Sequence, residues 1–176
     1  MTESYNDKLI LEYNLSSHQM IHTSLIGLAI LCIAITGVNE ISGYLLYIFI
    51  IGITILLGII TIITFSRKGF VKVDGKVFKG YFFGKNLLLK KTIDITDKNA
   101  FTILKLRKKQ KMAFFAAANP DMAQSFDCYD IAFLNKKHTI KEVVLSLKKE
   151  KNSKLATEFL SKNTDLKLEI YSPDFS

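Results

Sequence analysis

MIHTSLIGLAILCIAITGV, residues 20–38, then Asn39-Glu40, then ISGYLLYIFIIGITILLGIITIITF, residues 41–65, is the stretch on which the fold turns. The first run is 19 residues without a charge and the second is 25. At about 1.5 Å per helical residue, each crosses an apolar layer about 30 Å thick. Asn39-Glu40 and Ser42-Gly43 put turn formers and a carboxylate between the runs, so the pattern predicts a helical hairpin and not one long rod. Thr23-x3-Gly27 and Thr54-x3-Gly58 place small residues one turn apart, as close helix contact in lipid requires, either between the two helices of the hairpin, the plainer reading, or between copies of the chain.

Charge is distributed unevenly around this stretch. Residues 1–66 hold one base, Lys8, and four acids, whereas residues 67–176 hold 23 Lys+Arg and 12 Asp+Glu, a net +11. Arg67 and Lys68 follow the second run directly, while the turn between the runs carries only Glu40. Cationic flanks stay on the cytoplasmic side of a membrane, so both termini of a multi-pass protein are expected there. The segment before Met20 is acidic and a second apolar run follows at once, unlike a cleaved secretory signal, so both helices are expected to remain. Cys32 lies in the first apolar run and Cys128 in a strand-like stretch, so two free thiols are expected.

Beyond residue 66 the period changes from helix to strand. Phe70–Val73 and Lys76–Phe82 flank Asp74-Gly75, a hairpin signal because a type I′ turn needs positive φ at both central residues. Gly84-Lys85-Asn86 marks the next turn, and further strands are expected at Leu88–Ile95, Phe101–Lys108, Ser125–Asn135 and Thr139–Leu147, as an antiparallel meander. Asn152 is expected to cap a helix reaching Lys162, with Leu155, Ala156, Phe159 and Leu160 in one stripe. Leu166, Leu168 and Ile170 alternate as a last short strand before Pro173, with a loose tail after it. Ahead of the hairpin, Leu9, Leu11, Tyr13 and Leu15 also alternate, a strand able to join the same sheet. The organisation is therefore an N-terminal segment with a strand (1–19), a transmembrane hairpin (20–66) and a mainly-β cytoplasmic domain (67–176).

The order of elements, a short strand before the apolar runs, a helical hairpin, a run of antiparallel strands opened by GFVKVDGKVFKGYFFGK and a terminal helix written NSKLATEFLSKN, resembles small membrane proteins of Bacteroidetes-type bacteria that carry a PH-like domain, which implies a bacterial inner membrane as the location. That resemblance implies a curved sheet or partly open barrel closed by the C-terminal helix. It also implies that Lys72, Lys76 and Lys79 lie near the first hairpin, where phosphoinositide-binding PH domains often place basic residues.

Groups able to carry catalysis are sparse. His18 and His22 stand at i,i+4 spacing, suited to one metal, yet no HExxH pattern or cysteine cluster accompanies them. Cys128, Asp127, Asp130 and His138 fall in one hairpin-like stretch, where a Cys/His nucleophile competes with the plainer reading of a small strand residue beside solvated acids and a turn histidine. No GxxxxGK[ST] loop and no GxGxxG after a strand occurs. The expectation is a protein that is not an enzyme, with no cofactor and no metal.

The most distinctive stretch is KLRKKQK, residues 105–111, running into MAFFAAA, residues 112–118. Lys105, Arg107, Lys108, Lys109, Lys111, Met112, Phe114 and Phe115 are the candidate contacts to a membrane or a partner, against the plainer reading of a solvated strand end whose loop folds over its own domain. Nucleic acid is not expected, because no binding motif accompanies the basic run. The reading is a membrane-anchored interaction or scaffolding protein with a membrane-protein partner, with an anionic-lipid-binding module and a small immunity or stress-response protein as alternatives. The oligomeric state stays open.

Overall fold

The computed structural model describes residues 7–38, 40–110 and 124–174, with side chains for 7–38, 40–107 and 127–174. The chain divides into two units: Met1–Glu12 with Lys68–Ser176, and Tyr13–Arg67.

The helical unit contains α1 (Ser17–Val38) and α2 (Tyr44–Phe65). α1 starts ahead of the charge-free run because Ser16 and Gln19 cap it reciprocally. The Gln19 N–H donates to the Ser16 hydroxyl at 3.2 Å, and the Ser16 N–H donates to the Gln19 side-chain oxygen at 2.8 Å. This S-x-x-Q box satisfies donors that the first turn leaves without partners, and it is legible in the sequence. Ser24 and Leu28 share a crevice with Leu57 and Thr61, while Gly37 faces Phe49, so the helices run antiparallel. Inside an apolar layer each hydroxyl needs an internal acceptor; Thr23, Thr54, Thr61 and Thr64 donate to the carbonyl four residues back at 2.7–2.8 Å.

The small-residue motifs do not both serve this contact. A Cβ on Gly27 would meet Ile60 at 3.5 Å, as close packing requires, but one on Gly58 meets nothing within 4 Å among the described residues. The tighter approach is at Gly37, where a Cβ would lie 2.9 Å from the Phe49 ring. Spacing alone cannot tell which side of a uniformly apolar helix faces its neighbour.

The β-rich unit holds two four-stranded sheets. The first has the order β1 (Asp7–Tyr13), β2 (Arg67–Val73), β3 (Lys76–Phe83), β4 (Asn86–Thr92). The second has the order β7 (Lys141–Leu147), β6 (Gln124–Leu134), β5 (Ala100–Gln110), β8 (Lys167–Leu168). The strand before the hairpin is thus the outer strand of the first sheet. Asp74 and Gly75 have φ of 49° and 78°, the type I′ geometry expected of Asp-Gly. At the next turn only Gly84 is positive, φ 58°, as a type II′ turn requires. β4 stops at Thr92, short of the expected Ile95, where Asp94 accepts from the Thr96 N–H and hydroxyl in a local turn.

Phe70, Phe101, Ile131, Phe133, Leu145 and Leu147 form the core, drawn from both sheets. Helix α3 (Glu150–Asn163) buries Ala156, Phe159 and Leu160 against it, and the Phe159 ring lies parallel to that of Phe70 at 6.1 Å. Each fully buried Phe or Leu contributes about 1.5–3 kcal/mol, so these contacts outweigh any surface ion pair on the domain.

Gly69 lets β1 pair with β2, because any side chain there would run into the Leu9 carbonyl. Gly69→Ala is therefore expected to push β1 off the sheet and to cost about 1–3 kcal/mol. Chemical denaturation, with hydrogen exchange over residues 8–12, measures both effects; an unchanged midpoint with protected amides would show that β1 does not depend on this approach.

Candidate functional site

The domain's most organised polar feature is internal. α3 begins at Glu150 with Lys149 as its cap residue, and no side chain of its own caps it. Asn152, the expected cap, sits inside the first turn. The cap comes instead from Glu12 on β1, whose carboxylate is 9 % exposed and accepts from the Lys148 N–H (2.8 Å), the Lys149 N–H (2.9 Å) and the Asn152 side-chain amide (2.9 Å). An anion at a helix N-terminus is favoured by the helix dipole, and three charge-assisted donors repay its desolvation. Nothing local in the sequence links Glu12 to Lys148, which explains why pattern reading assigned the cap to Asn152.

Half-buried Lys68 faces this cluster. Burial pushes its ammonium below the ordinary lysine range, Glu12 opposes the shift, and Lys148 and Lys79 add to it. Buried Cys128 donates its thiol to Asp130 at 3.1 Å, two residues along the same face of β6. Asp127 lies on the opposite face, exposed, 3.5 Å from Lys105. The Cys/His pairing does not form: His138 lies past Leu134 in the turn to β7, and Leu134 is six steps along the strand from Cys128, about 20 Å. Both cysteines are free thiols.

His138 has another role. At φ 56° and largely buried, its Nε2 is 2.9 Å from Glu169, and its Nδ1 accepts from the Ser172 N–H at 3.2 Å. The acceptor role of Nδ1 places the ring proton on Nε2, facing the carboxylate. With the Asp174 N–H on the Lys137 carbonyl at 2.9 Å, this turn holds the chain from Glu169 to Asp174, the first residue of the expected loose tail; the rest of that tail lies outside the described residues.

His18 and His22 approach each other at 3.4 Å between Nε2 atoms. Among the described residues no group of three or more His, Cys, Asp or Glu side chains is placed to hold a metal ion.

The basic candidates lie on a two-stranded ribbon. β5 and β6 stay paired from Ala100↔Leu134 to Gln110↔Gln124, whereas β7 accompanies β6 only from Tyr129 to Leu134. Lys105 and Arg107 are exposed on this ribbon, and Lys105 sits over the Tyr129 ring at 5.8 Å. The neighbouring Asp127 carboxylate raises the Lys105 pKa above its ordinary value. Lys108 and Lys109 continue β5 opposite Phe126 and Ser125. Lys111, Met112, Phe114 and Phe115 lie outside the described residues.

No family model, no curated protein and no solved structure matches this chain.

Two outcomes follow from the internal cluster. Glu12→Gln keeps the volume but turns an amide toward N–H donors, so a loss of about 2–3 kcal/mol is expected, read by denaturation, with faster exchange at the Lys148 and Lys149 amides. Lys68→Met removes a cation that burial disfavours and is expected to stabilise the domain at neutral pH. Because the folded pKa of Lys68 lies below 10.5, the unfolded chain binds more protons between the two values, and wild-type stability rises with pH there. The advantage of Lys68→Met should shrink across that window; a gap independent of pH would assign the effect to packing.

Proposed function

We propose that this chain is a membrane-anchored interaction protein, its hairpin in a bacterial inner membrane and its domain, of PH-like type, on the cytoplasmic side as a docking or scaffolding module. The observation that carries the reading is the surface of the two helices. Each is 22 residues and long and apolar enough to span a bilayer, and almost none of either is buried inside the protein. Side chains such as Leu25, Ile33, Ile48, Ile51, Ile55 and Ile59 are exposed along their length. At about 1.5–3 kcal/mol for each large side chain that finds an apolar environment, a lipid surrounding contributes tens of kcal/mol that water does not. A soluble core helix would bury one face, and these bury almost nothing beyond Ala34 and Thr64.

The orientation rests on Arg67 and Lys68 after α2 and on the basic character of everything beyond them. The two-sheet arrangement closed by α3 supports the PH-like reading, and a net +11 over residues 67–176 supports an acidic partner at the cytoplasmic face. Exposed Lys105 and Arg107 also favour a second reading, attraction to anionic lipid headgroups at about 1 kcal/mol per cation.

The chain is expected to stay in the membrane pellet through an alkaline carbonate wash. A reporter fused after Ser176 should be active only in its cytoplasmic form, and one inserted after Glu40 only in its periplasmic form. Release by carbonate would remove the anchor, and inverted reporters would put the basic surface outside. Purification in mild detergent should bring a membrane partner in near-stoichiometric amount, whereas a chain that purifies alone would move the weight to lipid.

A further inference from the structure

Strand β5 uses one edge along its whole length and the other at one end only. β6 pairs with it from Ala100 to Gln110, but β8 contributes only Lys167 and Leu168, opposite Ala100 and Phe101. The last rung on that side is the Glu169 N–H donating to the Phe101 carbonyl at 3.0 Å. In a strand, alternate residues turn both backbone groups to the same edge, so Ile103 and Lys105 present theirs on the side of Phe101. Among the described residues no strand pairs with Ile103 or Lys105 there.

The tail leaves β5 for a reason already described: His138 holds Glu169 and Ser172, and Lys137 holds Asp174. Between the departing tail and the strand edge lies an open groove of about 520 Å³, bounded by Ile103, Lys105 and Leu106 on one side and Leu168, Ile170 and Tyr171 on the other. Leu168 is 54 % exposed and Ile170 89 %, an unusual display for a segment otherwise tied down.

An open strand edge beside apolar side chains accepts another strand. Charge selects which one. Lys105 and Arg107 are exposed along this strand, and Lys108 and Lys109 follow. The ion pair of Lys105 with Asp127 is between two exposed groups, and such pairs exchange readily. A second copy of the chain would set this cationic strand against itself, and like charges opposite one another destabilise a ladder. An acidic strand would be attracted.

We propose that the β5 edge at Ile103 and Lys105, with the groove beside it, docks an extended acidic segment of a partner protein as an added strand. The segment's backbone continues the ladder that β8 abandons, its carboxylates meet Lys105 and Arg107, and its alternate apolar side chains lie against Leu168 and Ile170. This deepens, and rests on, the interaction reading above.

The test uses the full chain in nanodiscs of neutral lipid and, as probe, a fluorescein-labelled, end-capped decapeptide alternating Glu and Val. Saturable binding is expected, with slowed exchange at the Ile103 and Lys105 amides. Lys105→Pro deletes one edge N–H while the bonds to β6, made by the intervening residues, remain; binding should fall at least tenfold. Lys105→Gln, which keeps the N–H, should cost only a few-fold, and the double change K105E/R107E at least tenfold. Unchanged binding by Lys105→Pro, binding without amide protection, or equal binding of a Gln/Val peptide would each overturn the proposal. Should Lys105→Pro expose the β6 amides, a probe N-methylated at alternate residues poses the same question from the ligand side, and equal binding of that probe also overturns it. If K105E/R107E instead abolishes binding to phosphatidylglycerol vesicles while the peptide never binds wild type, the cations serve lipid and the proposal falls. A co-purifying membrane partner that persists with Lys105→Pro would leave the interaction reading standing and remove this site; absence of both partner and peptide binding would remove the two together.

Discussion

A single carboxylate joins the two ends of the β-rich unit. Glu12, on the strand that precedes the hairpin, supplies the cap that α3 lacks, across 136 residues of sequence to Lys148. Both partners need the arrangement. Without Glu12 the Lys148 and Lys149 N–H groups that lead into the helix lose their acceptor, and without that turn the buried carboxylate loses its donors. The contact therefore ties the two elements together: β1 is the outer strand of its sheet, and α3, whose approach Glu12 holds, brings Phe159 against Phe70. Lys68 shares the cluster at a cost, since burial disfavours its charge more than Glu12 favours it.

Elsewhere in the domain, polar side chains are likewise spent on position. Cys128 and Asp130 satisfy each other within β6, and His138 pins the tail by both ring nitrogens. Groups that a catalytic reading would recruit are thus engaged in holding strands and turns. The consequence of the His138 anchor is geometric: the chain leaves β5 after the Glu169 rung, and among the described residues no strand pairs with the edge beyond it, beside exposed aliphatic side chains. Open edges are usually blunted by charge, and the cations along β5 disfavour pairing with a second copy; in the docking proposed above they would select an acidic strand.

The helical unit follows a different logic. Its backbone satisfies itself, its threonine hydroxyls return to their own helix, and its apolar side chains face outward. In the membrane reading proposed above, such an element needs no packed interior of its own, because lipid would take that part. What the helices ask of each other is only a close approach, provided at Gly27 and Gly37.

Periodicity and turn chemistry determined the elements: two charge-free runs, a helical hairpin, the Asp-Gly turn, the strands from β2 to β7 and the apolar stripe of α3 are all local properties that read directly from residue order. Local signals also misled where competing local partners existed. Asn152 looks like a cap because its side chain can reach a helix terminus, yet the stronger acceptor arrived from β1. Thr54-x3-Gly58 looks like a contact, but in a helix apolar on every side only the neighbour decides which face is used. The pairing of β8 with β5, the anchoring of the chain end by His138 and the edge of β5 left open at Ile103 and Lys105 among the described residues were decided by tertiary structure alone. Each depends on groups far apart in the chain, whose meeting is set by the shared core and not by any spacing the sequence displays.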